Sequence, residues 1–180
     1  MADDIAKRHE LAIADHFLRF LSLRLDADYG SPKPNEAPDA LSCDSSGAAI
    51  GVEVTCPNYS LEEARNVWAP ARGKPHLSER YVQPGESIAE RLRAAPVLMN
   101  FTPALMRNAQ EAIDSHSLRR YGLPTYLIVD LSLASLTTSG NACQSVQSLR
   151  VPAASRFIGV FVALARNFSS QVEFFEVDQR

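Results

Sequence analysis

The sequence predicts a single α/β domain in which helices flank a mixed β-sheet. Residues 3–25 carry apolar side chains at helical spacing. A second helical segment, 103–121, leads into the uninterrupted β-type run 125–131, which is typical of a strand buried on both faces. Segments 40–55 and 157–177 each have the pattern of a β-hairpin. The 180 residues suffice for one domain with an ordinary core, so residues 1–180 are assigned to it.

The first helix is predicted over residues 3–25, with Asp3 or Asp4 as its N-cap. Its buried face is an apolar stripe at helical spacing, made of Ala14, Phe17, Leu18, Leu21 and Leu25. Glu10 precedes Ala14 by four residues, and it therefore lies at the upper end of the stripe rather than on the solvated face.

A loop over 26–37 is predicted to precede a hairpin with strands Ala40–Cys43 and Ala49–Thr55. The segment 44–47 between the strands is a turn signal, Asp-Ser-Ser-Gly. Because strand side chains alternate, the second strand has one apolar face and one face that carries Glu53. The apolar face comprises Ile50, Val52 and Val54, and the other comprises Gly51, Glu53 and Thr55.

A proline-rich excursion is predicted at about 57–96, where five prolines lie among scattered charged residues. In the second helix Pro103 suits the first turn, and Gly122 with Pro124 closes the segment. Residues 132–155 are polar and turn-rich. The C-terminal hairpin is predicted to comprise strands 157–164 and 172–177 around a turn at 166–170, and its last strand is either core or the edge of a homodimer.

An acidic pair, Asp39 and Glu53, is the main candidate for chemistry. Asp39 directly follows Pro38 at the expected start of one strand, and Glu53 lies inside the next. A tight hairpin between them brings both carboxylates to the same end of the sheet, where they repel each other and a divalent cation relieves the repulsion. Mg²⁺ accepts a few carboxylates together with waters and phosphate oxygens. A metal held in this way can activate water for phosphodiester cleavage.

The residues Pro38-Asp39, followed by the strand segment 51–55 (Gly-Val-Glu-Val-Thr), resemble the motif of the PD-(D/E)XK nuclease superfamily. In that motif Pro-Asp precedes an apolar strand that carries (Asp/Glu)-X-Lys. The resemblance implies a restriction-endonuclease-like fold and a nuclease or nuclease-like phosphodiesterase acting on nucleic acid. The family core runs helix, three strands, helix, strand. The predicted order agrees except that only two strands precede the second helix.

The resemblance also implies a set of functional residues. Asp39 and Glu53 would bind Mg²⁺ or Mn²⁺ with help from the Val54 carbonyl, and Glu10 matches the acidic residue that the family carries on its first helix. Thr55 occupies the position of the motif lysine, and a neutral hydroxyl cannot replace a cation. The catalytic candidates are therefore Glu10, Asp39, Glu53 and Thr55. The candidates for a substitute cation are His116, Arg119 and Arg120 at the second helix, and Lys74 in the excursion.

Each of these features also has a structural interpretation. Asp39 can serve only its own turn, Glu53 can face solvent, and Glu10 can be an ordinary salt-bridge partner. His116 and the neighbouring arginines suit a helix C-terminus without further role. Trp68 in the excursion could stack on a base, but a lone Trp more often packs. Three functions stay open: a metal-dependent nuclease, a catalytically degenerate relative that binds nucleic acid or protein, and an unrelated α/β subunit of a larger assembly.

The composition narrows the range of partners. A net charge of −3 gives no general basic field for nucleic acid or an anionic membrane, so any nucleic-acid contact requires a local patch. No stretch is apolar enough to span a bilayer, and the acidic N-terminus does not resemble a signal peptide. The cysteines Cys43, Cys56 and Cys143 show no zinc spacing and are predicted to be reduced, buried thiols of a cytoplasmic protein.

Overall fold

In a computed structural model of the chain, the described residues are 2–57, 101–132, 140–165 and 171–179. The predicted excursion at 57–96, with Trp68 and Lys74, lies almost wholly outside them, and so does the turn predicted at 166–170.

Six strands form one sheet whose spatial order is the chain order. They are β1 (Lys33–Pro34), β2 (Ala40–Cys43), β3 (Ala49–Thr55), β4 (Thr125–Asp130), β5 (Gly159–Ala165) and β6 (Val172–Glu176). The three central strands β3, β4 and β5 are parallel, whereas the β1–β2, β2–β3 and β5–β6 pairs are antiparallel. The prediction of an α/β domain with a mixed sheet is confirmed. The hairpins at 40–55 and at the C-terminus are present with the expected pairing.

One face of the sheet is covered by α1 (Ala2–Leu25). Phe17 lies at the centre of this layer, with its ring centroid 5.0 Å from that of Phe161 and 5.4 Å from that of Phe174. The helix buries Ile13, Ala14, Phe17, Leu18 and Leu21. Leu25, which the stripe was predicted to include, is 51% exposed because it is the last residue of the helix. The β3 residues on this face are Ile50, Val52 and Val54, as alternation predicts.

The opposite face of the sheet packs against α2 (Phe101–His116) and the short α3 (Gly140–Val146). From α2, the side chains of Leu105, Met106, Ala109 and Ile113 are buried against this face. The side chains of Leu127 and Val129 alternate with those of Ile128, so β4 is buried on both faces. Glu53 pairs with Leu127 and therefore points to the α2 side of the sheet.

One helix end and two short elements differ most from the prediction. The second helix ends at His116 rather than at residue 121, since Ser117 and Arg119 form a turn with N–H bonds to the carbonyls of Ile113 and His116. β1 lies within the predicted loop 26–37, where two residues pair with β2. The helix α3 occupies part of the stretch 132–155, which was predicted to be polar and turn-rich. Both missed elements are too short to produce a periodic pattern.

Gly51 in β3 leaves room for the Pro38 ring and the Thr125 side chain to pack directly on the strand. A Cβ at position 51 would lie 2.4 Å from Cγ of Pro38 and 2.8 Å from Oγ1 of Thr125. We expect Gly51→Ala to lower the free energy of unfolding by about 1–3 kcal/mol, as overpacking of a tight core does. Gly30→Ala is the matched control, because its Cβ would come no closer than 3.7 Å to any atom. Equal urea-unfolding curves for the two variants would contradict this prediction.

Candidate functional site

The structure brings Asp39 and Glu53 together at one end of the β2–β3 pair. The register pairs Ala40 with Val52, so the next position places Asp39 opposite Glu53. Residues opposite each other in an antiparallel pair have Cβ atoms about 4.5–5.5 Å apart. The side chain of Asp39 is fixed by the backbone, since its Oδ2 accepts a hydrogen bond of 2.8 Å from the Val54 N–H.

Val54 presents its backbone to the same place. The N–H and C=O groups of one strand residue point toward the same neighbouring strand. The N–H of Val54 points toward Asp39, whereas that of Gly51 points toward β4 and bonds to the carbonyl of Pro124. The Val54 carbonyl is therefore directed to the side of the strand where the Asp39 carboxylate lies.

Glu53 is buried and bound by an arginine. Its side chain is 7% exposed, and its Oε1 accepts a hydrogen bond of 2.6 Å from Nη1 of Arg119. Nε2 of His116 lies 3.9 Å from the same oxygen, while Nδ1 of His116 bonds to the carbonyl of Ala112. The early end of α2 explains this arrangement, because the turn after His116 carries Arg119 toward β3. Of the proposed substitute cations within the described residues, Arg119 and His116 thus reach Glu53, whereas the exposed Arg120 is not among the cations that contact it.

Three carboxylates share this end of the sheet, and all three are harder to ionise than usual. Burial raises the pKa of Asp39 in spite of the bond from the Val54 N–H. Burial, and after it the charge of Asp39, raises the pKa of both Glu53 and Glu10. Glu10 is half-buried on α1. The charge of Asp39 acts on its pKa, so the acid from the first helix lies near Asp39. Repulsion of this kind is what a bound cation relieves.

Two neutral groups complete the surroundings. Burial lowers the pKa of His116 below 6.5, so its imidazole is neutral at pH 7. Burial also raises the pKa of Tyr121 to about 12. The Tyr121 hydroxyl adjoins Glu53 and Arg119 closely enough to act on the pKa values of both. Thr55 is half-buried and, by alternation, on the same face as Glu53.

The donor set fits a hard divalent cation. Asp39, Glu53 and the Val54 carbonyl offer oxygen atoms only, which Mg²⁺ and Mn²⁺ prefer. The raised pKa values of Asp39 and Glu53 show that their negative charges are only partly compensated by the protein, and a bound cation would complete that compensation. The Arg119 guanidinium acts in the opposite sense, because it already compensates part of the charge of Glu53.

A second cluster of ligand-type side chains was not predicted from the sequence. His9, Cys56 and Asp130 place one ligand atom each so that all three atoms lie within 4.8 Å of one another. The residues are far apart in the chain and have no motif spacing, so only the packing of α1 on the strand ends reveals them. The prediction of buried thiols is wrong for Cys43, which is exposed, while Cys56 and Cys143 are half-buried.

Searches with the chain among protein-family models, curated proteins and solved structures find no match. Within the described residues, no helix is long and apolar enough to cross a bilayer.

Proposed function

We propose that this chain is a metal-dependent phosphodiesterase of the PD-(D/E)XK type that cleaves nucleic acid, with Asp39, Glu53 and the Val54 carbonyl as the ligands of Mg²⁺ or Mn²⁺. The observation that carries the proposal is the convergence of Glu10, Asp39 and Glu53 from three separate elements. All three carboxylates have raised pKa values at one end of the sheet.

The order of elements supports the restriction-endonuclease-like fold as part of this proposal. Among the described residues, α1 is followed by three strands, then by α2 and by β4. This is the order that the resemblance implies, with β1 as the strand that the sequence pattern did not reveal. The acidic pair lies at the end of the β2–β3 hairpin away from its turn, with Asp39 directly before β2 and Glu53 near the end of β3.

Each residue has a role that follows from its surroundings. The ion would supply an activated water and charge stabilisation at the phosphate. Asp39 is oriented by the Val54 N–H, and Glu53 by Arg119. Glu10, with its raised pKa, is suited to accept a proton from a nearby water.

Arg119 provides the positive charge that Thr55 does not. Its side chain is 49% exposed, so the guanidinium can contact a phosphate while it binds Glu53. Arginine presents a planar fork of donors that matches phosphate oxygens. The cation therefore comes from the segment after α2 instead of from β3.

The proposal is tested by incubating the purified chain with duplex DNA, single-stranded DNA and RNA in millimolar Mg²⁺ or Mn²⁺. We expect cleavage of at least one of these that stops when EDTA is added, together with calorimetric binding of Mn²⁺ to the protein alone. If the chain shows no cleavage and no Mn²⁺ binding under these conditions, both the activity and the metal site are refuted.

The Arg119–Glu53 ion pair favours a second candidate, a catalytically degenerate member of the same fold that binds nucleic acid or protein. In this case the guanidinium substitutes for the metal by neutralising Glu53. It predicts an ordered acidic site with neither Mn²⁺ binding nor turnover. EDTA-sensitive cleavage would exclude it.

A further inference from the structure

A second, chemically different cluster lies at the carboxyl ends of β3 and β4. Asp130 is the last residue of β4, Cys56 directly follows β3, and His9 comes from the second turn of α1. Nε2 of His9 lies 2.6 Å from Oδ2 of Asp130, and Sγ of Cys56 lies 3.6 Å from the same oxygen. We propose that His9, Cys56 and Asp130 bind a zinc-class divalent cation that ties α1 to the ends of these strands.

The spacing of the three ligand atoms suits tetrahedral coordination. Bonds of about 2.0–2.3 Å at tetrahedral angles place neighbouring ligand atoms about 3.3–3.7 Å apart. The Cys56–Asp130 separation of 3.6 Å already meets this requirement. The His9–Asp130 separation of 2.6 Å must widen by roughly 1 Å to reach the same range, a shift within reach of the partly exposed His9 ring.

The cluster is preformed and shielded. The Asp130 side chain is fully buried, and that of His9 is 19% exposed. The backbone N–H of Ser132 donates a 2.9 Å hydrogen bond to Oδ1 of Asp130, which fixes the carboxylate. Metal ligands are held by such outer contacts, which also orient the ligand atoms before the ion arrives.

The ligand types select the metal. Imidazole and thiolate favour Zn²⁺ over Mg²⁺, in contrast to the all-oxygen set at Asp39 and Glu53. Three protein ligands leave the fourth position for water, a common arrangement for zinc. In the metal-free protein the Cys56 thiol and Asp130 share a hydrogen bond, and the proton leaves when the ion binds.

The proposed zinc site and the Asp39–Glu53 site have different ligands but are neighbours, since burial, and after it the charges of Asp130, Glu10 and Asp39, raises the pKa of the Cys56 thiol. Cys56 and Asp130 continue the alternation of Val54 and Ile128, so they face α1. Glu53 faces the other side of the sheet, where Arg119 binds it. A zinc-class ion at one place therefore does not require a magnesium-class ion at the other, and each can be tested without the other.

The test uses the full chain, stripped of metal by a chelator and titrated with Co²⁺ and then Zn²⁺. We expect a thiolate-to-cobalt charge-transfer band, loss of that band on displacement by Zn²⁺, and a higher melting temperature with Zn²⁺; a second Co²⁺ held by the oxygen ligands of Asp39 and Glu53 would add no such band. No charge-transfer band in the wild-type protein would overturn the proposal, leaving His9 and Asp130 as a hydrogen-bonded pair only. This readout needs no variant and no nucleic acid.

Variants identify the ligand. Cys56→Ser should remove the charge-transfer band and weaken Zn²⁺ binding by more than about 100-fold, beyond the range for loss of an outer contact. Cys43→Ser is the matched control, because Cys43 is exposed on β2. Circular dichroism verifies that both variants fold. A band that survives in folded Cys56→Ser, or that disappears in Cys43→Ser, would refute the assignment. Asp39→Asn should leave the band unchanged, so the result does not depend on the proposed nuclease activity.

Discussion

Under the proposed nuclease function, Asp39→Asn should reduce metal-dependent cleavage by at least about 100-fold, since it removes a charged ligand of the proposed ion. Asparagine keeps an oxygen that can accept the bond from the Val54 N–H, so the local backbone is preserved. The measurement is the initial rate of cleavage in Mg²⁺ and in Mn²⁺. Calorimetric titration of the same variant with Mn²⁺ should show weakened binding.

The same change should stabilise the protein when no divalent cation is present. Burial, and after it the charge of Asp39, raises the pKa of Glu10 and of Glu53 above 4.5, and burial raises that of Asp39 above 3.8. A carboxyl group whose pKa is raised by folding contributes stability below its ordinary pKa and loses that contribution as pH rises through the raised value. The ionised acids therefore lower the stability of the wild-type protein at pH 7, and Asp39→Asn removes the part of this penalty that comes from the buried charge of Asp39 and its repulsion of Glu10 and Glu53. Burial lowers the pKa of His116 and the charge of Asp39 opposes this, so without that charge the imidazole remains neutral at pH 7.

Urea unfolding in EDTA should show Asp39→Asn to be more stable than the wild type at pH 7, with the difference vanishing near pH 4. Asp28→Asn is the control, because Asp28 lies exposed in the loop after α1 and undergoes the same chemical change. A ligand carboxylate thus has a signature that a structural aspartate lacks. Loss of stability at pH 7 together with undiminished cleavage would show that Asp39 serves only its turn.

The sheet and the acidic pair were predictable because they depend on local patterns. The alternation of Ile50, Val52 and Val54 determines which face of β3 is buried, and it therefore assigns Glu53 to the other face. The turn over 44–47 determines the register, and the register places Asp39 opposite Glu53. Both steps need only the short segment 39–55.

The sequence predicted Arg119 and His116 only among several candidate cations, because which of them reaches Glu53 depends on where long segments end and cross. Arg119 reaches Glu53 only since α2 stops at His116, and helix ends are poorly marked when no glycine directly follows the last turn. In the cluster of His9, Cys56 and Asp130, His9 and Asp130 are in hydrogen-bond contact although they lie 121 positions apart in the sequence. Such a contact is produced by packing of α1 across the sheet, which has no local signal.

Arg119→Ala should lower the rate of cleavage by about 100-fold or more, the usual effect of removing one donor that stabilises transition-state charge. Arg120→Ala is the matched control, since the neighbouring arginine is exposed and the net charge changes equally. Arg119→Lys should recover part of the activity, because a point charge remains while the planar fork is lost. Equal losses for Arg119→Ala and Arg120→Ala would indicate a general electrostatic effect on nucleic-acid binding instead.

The same variant separates the two candidate functions through its effect on the metal. Arg119 and a divalent cation compete to neutralise Glu53, so Arg119→Ala should bind Mn²⁺ more tightly than the wild type under either hypothesis. If the protein is a nuclease, Arg119→Ala loses turnover although it binds the metal ion more tightly, because the guanidinium that contacts the phosphate has been removed. A degenerate protein has no turnover to lose and acquires an Mn²⁺ site that the wild type lacks. Calorimetry and cleavage measured together on Arg119→Ala therefore determine whether this arginine completes a catalytic site or replaces its metal.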